Sequence, residues 1–219
     1  MKNNQILAFV IVLMFGSVNV FAGDAGLSGF ASLKSKYVIS SGAEVSDNPV
    51  SQGGLTYQTN TCAWLDLWWS KDTQGDAGDE IDYTVGCTLE LNYDLSVTGK
   101  VAFFDFGRVG SFGDDLVQTS LEFGYQQWGL SLNHLRPQGG FKKGTRFGLS
   151  YKFDEGFAKG LNLSGDIGKE PYSGKTFQVV GAEYVYPIAK SVNLSAKAVS
   201  QLKGSQEDTH LILGISYGF

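Results

Sequence analysis

From residue 31 to the C-terminus one pattern recurs twelve times: a stretch in which apolar residues alternate with small or polar ones, followed by a turn signal. The stretches fall near 31–40, 50–58, 61–70, 80–92, 95–106, 116–126, 129–136, 144–153, 160–168, 175–186, 191–201 and 209–219. A period of two sends successive side chains to opposite faces of an extended strand. The last stretch, "LILGISYGF", places Leu211, Leu213, Ile215, Tyr217 and Phe219 on one face and Gly214, Ser216 and Gly218 on the other. Two architectures tolerate such strands in number: a soluble β-sandwich, and a membrane barrel whose outer face is apolar over its whole lipid-facing height.

The connections separate these two. After the even stretches they are mostly tight, as in "QTNT", "NYDL", "QQWG" and "YPIAK", with a longer one at "DEGFAKG". After the odd stretches they are longer and more acidic: "SGAEVSDN", "KDTQGDAGD", "FGRVGSFGDD", "RPQGGFKK", "GKEPYSG" and "LKGSQED". Bacterial outer-membrane barrels alternate short periplasmic turns with long outer loops in this way, and an even strand number leaves both termini in the periplasm. The aromatics follow the same orientation. Tyr57, Tyr93, Tyr125, Tyr151 with Phe153, Tyr184 with Tyr186, and Tyr217 with Phe219 close the descending stretches. Such rings mark a bilayer surface, their hydroxyls among the headgroups. Trp68, Trp69, Phe103 and Phe104 are expected in the opposite girdle.

The N-terminus is that of an exported chain. Lys2, an apolar run from Ile6 to Phe15 and small residues up to Ala22 form a secretory leader, so the expected division is 1–22 signal peptide and 23–219 barrel domain, exported through the Sec pathway. Without Lys2 the chain carries 16 basic and 22 acidic residues, a formal charge of −6, which makes it a poor partner for nucleic acid. Its 29 glycines and 13% aromatic content exceed what a soluble domain needs and suit a curved, girdled barrel. The fold class expected is therefore all-β: a transmembrane antiparallel up-and-down barrel of about 12 strands in a Gram-negative outer membrane. Lipid and lipopolysaccharide would surround it. The terminal row through Tyr217 and Phe219 resembles the signal read by the barrel assembly machinery.

The stretch from Ser35 to Asp72, "SKYVISSGAEVSDNPVSQGGLTYQTNTCAWLDLWWSKD", with "DEIDYTVGCTLEL" after it, resembles the TorF-family porins. The likeness rests on Ser35 and Tyr37 in the first strand, a turn at Gly42, "DNPVSQGG", Trp64, and the Glu80, Ile81, Asp82 strand start. It implies an outer-membrane barrel and brings no ligand residues with it.

If the apolar rows face lipid, the opposite rows face the lumen. They carry Lys34, Lys36, Lys100, Arg146, Lys152 and Lys197 beside Asp66, Asp82, Glu90, Glu122, Asp166 and Glu183. This balance argues against strong anion selectivity and fits a narrow, weakly selective porin for small hydrophilic solutes. The charges could line a pore or pair across a filled lumen; small inward residues such as Gly86, Gly148 and Ser164 favour open space. The alternatives are a closed structural or adhesion barrel acting through acidic outer loops, and an outer-membrane hydrolase using Asp208 and His210 with Glu80 and Asp82, in kind like the omptins. His134 and His210 lack the strand-spaced serine of barrel lipases, and no cofactor motif or EF-hand spacing is present. The loop acids Asp72, Asp76, Asp79 and Glu80 could attract a hard cation or serve as a solvated edge. Cys62 and Cys87 are candidates for a disulfide in an oxidising compartment, although alternation turns Cys62 inward and Cys87 outward, so that bridging them calls for a bulge at Gly86.

Overall fold

The structure is a computed structural model that describes residues 25–75, 79–105, 116–137, 142–170 and 173–219. The leader and Asp76 lie outside the described residues. Twelve strands close an antiparallel barrel: β1 (Gly26–Lys34), β4 (Val50–Gln58), β5 (Ala63–Asp72), β6 (Glu80–Glu90), β7 (Leu95–Asp105), β8 (Leu116–Tyr125), β9 (Trp128–Pro137), β10 (Gly144–Lys152), β11 (Leu161–Lys169), β12 (Thr176–Ala189), β13 (Val192–Lys203) and β14 (Thr209–Gly218). Each pairs with its sequence neighbour, and β1 pairs with both β4 and β14, so no strand edge is left open. The seam ends at Phe219, whose N–H donates to the Gly29 carbonyl (3.0 Å) while its own carbonyl accepts from Gly29 (2.9 Å).

The first expected strand, 31–40, is displaced. The barrel strand is Gly26–Lys34, and residues beyond it turn inward to form the short pair β2 (Tyr37–Val38) and β3 (Glu44–Ser46). The outward row of β1, Leu27, Gly29, Ala31 and Leu33, has two small residues between its leucines and is a weaker signal than "YVIS", whose apolar residues have a different destination.

Elsewhere parity holds. Leu65, Val85, Leu121, Leu130, Leu132, Phe147, Leu149, Ile167, Val180, Leu194, Leu211, Leu213 and Ile215 are exposed on the outside of the wall, an apolar belt that belongs in lipid. At the end where the chain termini lie, Tyr57, Tyr93, Tyr125, Tyr184, Tyr186, Tyr217 and Phe219 are exposed, joined by Trp128, which stacks edge-on to Tyr151 at 4.7 Å. At the opposite, loop end the expected girdle needs correcting. Trp69 and Phe103 lie on the outward row, but Trp68 and Phe104 point inward, because neighbours in one strand take opposite faces.

Cys62 and Cys87 are joined by a disulfide with Cα atoms 4.7 Å apart. The parity objection disappears because Cys62 precedes β5 and sits in the turn, with its carbonyl accepting from Thr88 N–H (2.9 Å). The β5–β6 register runs without a shift through Trp64 and Gly86, so no bulge is involved.

Candidate functional site: the lumen and the hairpin that crosses it

The first loop-end connection folds into the barrel. It leaves β1 beside β14, where Ser35 N–H donates to Leu213 O (2.8 Å) and Ser35 Oγ accepts from Leu213 N–H (3.0 Å). It then turns at Gly42, whose φ of +80° and whose nearest neighbour, Val179 Cγ2 at 2.8 Å from a built Cβ, both require glycine. Its side chains are apolar in two directions. Tyr37, Ile39 and Val45 pack with Val50, Trp68 and Phe104 on one wall, the Tyr37 and Trp68 rings 6.0 Å apart. Val38 packs on Phe177, Val179, Val199 and Ile212 on the other wall. The hairpin thus bridges β4, β5 and β7 to β12, β13 and β14.

Polar anchors surround these contacts. The Tyr37 hydroxyl donates to Glu80, the Arg146 guanidinium to Ser40 Oγ, and Ser46 Oγ to Asp72 (2.5 Å). Gln201 Nε2 donates to the Ser41 carbonyl (2.5 Å) and to Glu170 (3.1 Å), which also accepts from Ser173 and from the N–H and hydroxyl of Ser205 (2.8 and 2.9 Å). Burial of Glu170 raises its carboxyl pKa, but these donors outweigh it and hold the group below its ordinary value. Glu44 pairs with Lys36 (2.5 Å) and His210 Nδ1 (3.1 Å), and its N–H donates to Gln206 (2.7 Å). Beneath the hairpin lies a space of about 30 Å³ bounded by Lys34, Lys36, Tyr37, Gln52, Glu183 and Lys197, enough for a water or two.

Of the charges expected in the lumen, Lys34, Asp66, Asp82, Glu90, Lys100, Glu122, Arg146, Lys152, Asp166, Glu183 and Lys197 lie on inward strand positions. Lys36 is the exception: it belongs to the hairpin and pairs with Glu44 there. Where the charges pair, they do so between adjacent strands, along the wall. Lys100 on β7 meets Glu122 on β8 (2.6 Å), and Arg146 on β10 meets Asp166 on β11 (3.7 Å). The balance also hides an asymmetry. The inward positions of β4, β5 and β6 carry Asp66, Asp72, Glu80, Asp82 and Glu90 and no lysine or arginine, whereas Lys34, Arg146, Lys152 and Lys197 lie on β1, β10 and β13.

The hydrolase constellation is not assembled. Asp208 precedes β14, and its carboxylate accepts from the Thr209 N–H (2.7 Å) instead of orienting His210. The carboxylate on His210 is Glu44, from the hairpin, and Glu80 is engaged by Tyr37. His134 points outward beside Thr145. In the β5–β6 loop Asp72 accepts from Ser46, Asn48 and the N–H groups of Gln74 and Gly75, while Asp79 takes Lys71 and the Asp72 N–H, so these oxygens are already committed within the protein.

Tyr37, Glu44, Glu170 and Gln201, the anchors of the hairpin, were outside the expected site. The signal available was "YVISSG", apolar residues running into a glycine and an acidic turn, which an outer loop in water has no reason to carry.

A closed antiparallel barrel with an apolar belt, a polar inner row and one connection folded through its lumen is a transmembrane β-barrel with an internal constriction. No protein-family model matches the sequence, the TorF family included, and no curated protein matches it. Solved structures share the fold. The KdgM porin aligns with a TM-score of 0.55 at 8% identity over 89% of this chain and 99% of its own. The KdgM porin in complex with disordered oligogalacturonate aligns at 0.51 and 7% identity, with 89% and 99% covered. A structure from work on in-meso crystallization of membrane proteins aligns at 0.61 and 10% identity, with 88% and 83% covered. At such identities the likeness is one of fold.

Proposed function

We propose that this chain is an outer-membrane porin of a Gram-negative bacterium, a narrow passive channel for small hydrophilic solutes. The observation that carries this reading is the inner face: apart from the apolar clusters on which the hairpin docks, charged and polar side chains line it from Glu90 and Lys152 at the terminal end to Gln201 and Asp72 at the loop end, a surface suited to water. The hairpin bearing Tyr37 and Glu44 sets the narrowest section. The porin fold of KdgM supports the class. Its oligogalacturonate is not carried over, since the carboxylates of β4–β6 repel a polyanion. Export through the Sec pathway with removal of residues 1–22, assembly through the terminal Tyr217 and Phe219 row, contact with lipopolysaccharide and kinship with the TorF family belong to the same proposal.

A second reading, a closed structural or adhesion barrel, draws support from the hairpin itself, which is anchored on both walls. Conductance of the refolded chain in a planar bilayer under a salt gradient decides between them. Small steady openings are expected. A folded barrel that stays silent at all voltages would leave the closed reading standing.

A further inference from the structure

The outside of the wall has a charge pattern of its own, and it is concentrated on β9, β10 and β11. There the register lays the outward side chains in rows. Leu132 pairs with Phe147 and Phe147 with Ile167, so three exposed apolar side chains form one row. One outward step toward the loop end, His134 pairs with Thr145, and Lys169 stands two residues beyond Ile167. A step further come Arg136, on β9, and Lys143, just before β10; Leu135 and Gly144 are paired, and these are the residues that follow and precede them. Gly144 also lets β11 come close, since a Cβ built on it would lie 2.9 Å from that of Lys169. With strands about 4.8 Å apart and an outward step of about 7 Å, the three cations lie within about 10 Å across the wall, directly above the apolar row.

Arg136, Lys143 and Lys169 are exposed, and none makes an ion pair with any described group. Lys71, outward at the loop end of β5, is by contrast paired with Asp79. The outward positions of β8 to β12 hold no aspartate or glutamate: the acids of these strands, Glu122, Asp166 and Glu183, are on inward positions, and Glu170 beyond β11 is buried on Gln201 and Ser205. Like charges this close repel, and the chain places no acid among them, so the neutralising charge has to come from outside it. Water alone would suit the cations but not the apolar row beneath them. The two together match an anionic amphiphile whose headgroup lies one step above its acyl chains.

We propose that Arg136, Lys143 and Lys169 clamp a phosphate of lipopolysaccharide, whose acyl chains lie on the Leu132, Phe147 and Ile167 row. Arg136 supplies the planar fork that grips two phosphate oxygens, and the lysines add point charges. A phosphate monoester carries about −1.5 to −2 at neutral pH, closer to three cations than the single charge of a phosphodiester headgroup. The clamp rests on the outer-membrane placement proposed above, with the loop end outside, and not on conduction.

The test uses the full barrel refolded in detergent and titrated with a rough-type lipopolysaccharide, with the same material after removal of its phosphates, and with phosphatidylglycerol, bound copies being counted by native mass spectrometry. The parent holds the phosphorylated glycolipid most tightly. Each of Arg136→Gln, Lys143→Gln and Lys169→Gln weakens it about fivefold, and the three together weaken it roughly a hundredfold. Lys159→Gln with Lys190→Gln, two exposed cations at the terminal end, leaves binding as in the parent. All these side chains are exposed, so the variants keep the barrel. Equal binding of the phosphorylated and dephosphorylated forms by the parent overturns the proposal, as does parent-like binding by the triple variant. Phosphatidylglycerol held as tightly as lipopolysaccharide overturns the assignment to the glycolipid. Insertion into lipid vesicles is scored separately: a chain that does not insert loses the outer-membrane reading, whereas one that inserts and does not discriminate loses the clamp alone.

Discussion

Tyr37→Ala is the sharpest probe of the hairpin. The ring is 6% exposed, packed against Trp68 and Val50, and its hydroxyl donates to Glu80. Truncating a buried aromatic costs about 3–5 kcal/mol, and a hydrogen bond to a charged group contributes about 1.5–3 kcal/mol. A loop held at one edge relaxes into the space it vacates, so the loss of docking is set at about 4 kcal/mol, just below the combined range. At 1.4 kcal/mol per decade, that moves the docked-to-released ratio by about a thousandfold. None of the barrel ladders passes through Tyr37, so the wall should survive, checked by its resistance to unfolding in cold detergent gels. In a planar bilayer the variant shows larger or frequently fluctuating openings. In liposomes the 35–49 segment becomes open to protease from the loop side. Tyr37→Phe, which keeps the ring, gives a smaller effect in the same direction. Conductance and protease protection identical to the parent, in a folded Tyr37→Ala barrel, would refute the reasoning that this ring pins the constriction.

Gly42→Ala forces a side chain into the left-handed region and against Val179; at about 1–2 kcal/mol for the backbone alone, it should raise open-channel fluctuations without unfolding the barrel, read by the same bilayer recordings. Replacing Cys62 and Cys87 by serine opens a link spanning 25 residues and should lower stability to urea by up to about 3 kcal/mol, with conductance unchanged because the bond lies in a terminal-end turn. The depressed carboxyl of Glu170 contributes stability that is fully present above its unfolded pKa and is lost as pH falls through its lower folded value; Glu170→Gln should therefore flatten the acid limb of a pH-stability curve measured from neutrality downward.

The strand count and the lumen side of each strand were legible because alternation records which face meets lipid, and lipid is uniform around the barrel. What alternation does not record is what an inward residue touches. Lys100 and Arg146 show this: parity put them inside, but their partners, Glu122 and Asp166, stand beside them on the next strand, not across the lumen. Doubled aromatics mislead in a girdle, since in Trp68–Trp69 one ring must face in: the parity that turns Asp66 to the lumen turns Trp68 with it, and the hairpin supplies its apolar partner. Residues 35–40 read as the end of a membrane strand because an apolar partner inside the barrel leaves the same trace in a sequence as lipid outside it. Cys62 was misjudged through a shift of two residues in the start of β5, which is enough to move a residue from the wall into a turn.

The hairpin straddles the seam where β1 meets β14. Its base is tied to Leu213, its tip carbonyl to Gln201 and its Glu44 to His210 and Gln206, all contributed by the last two strands and their connection, across sequence separations as large as 178 residues. Half of its docking surface therefore does not exist until the ring of strands has closed, and contacts of such range are the slowest to form. Assembly is then ordered at its end: the seam shuts first, and the bolt slides home after it. A newly inserted barrel passes through a stage in which it is complete as a wall and still wide at the mouth, so a transient excess of conductance soon after insertion, decaying as the bolt seats, is the kinetic trace this arrangement leaves.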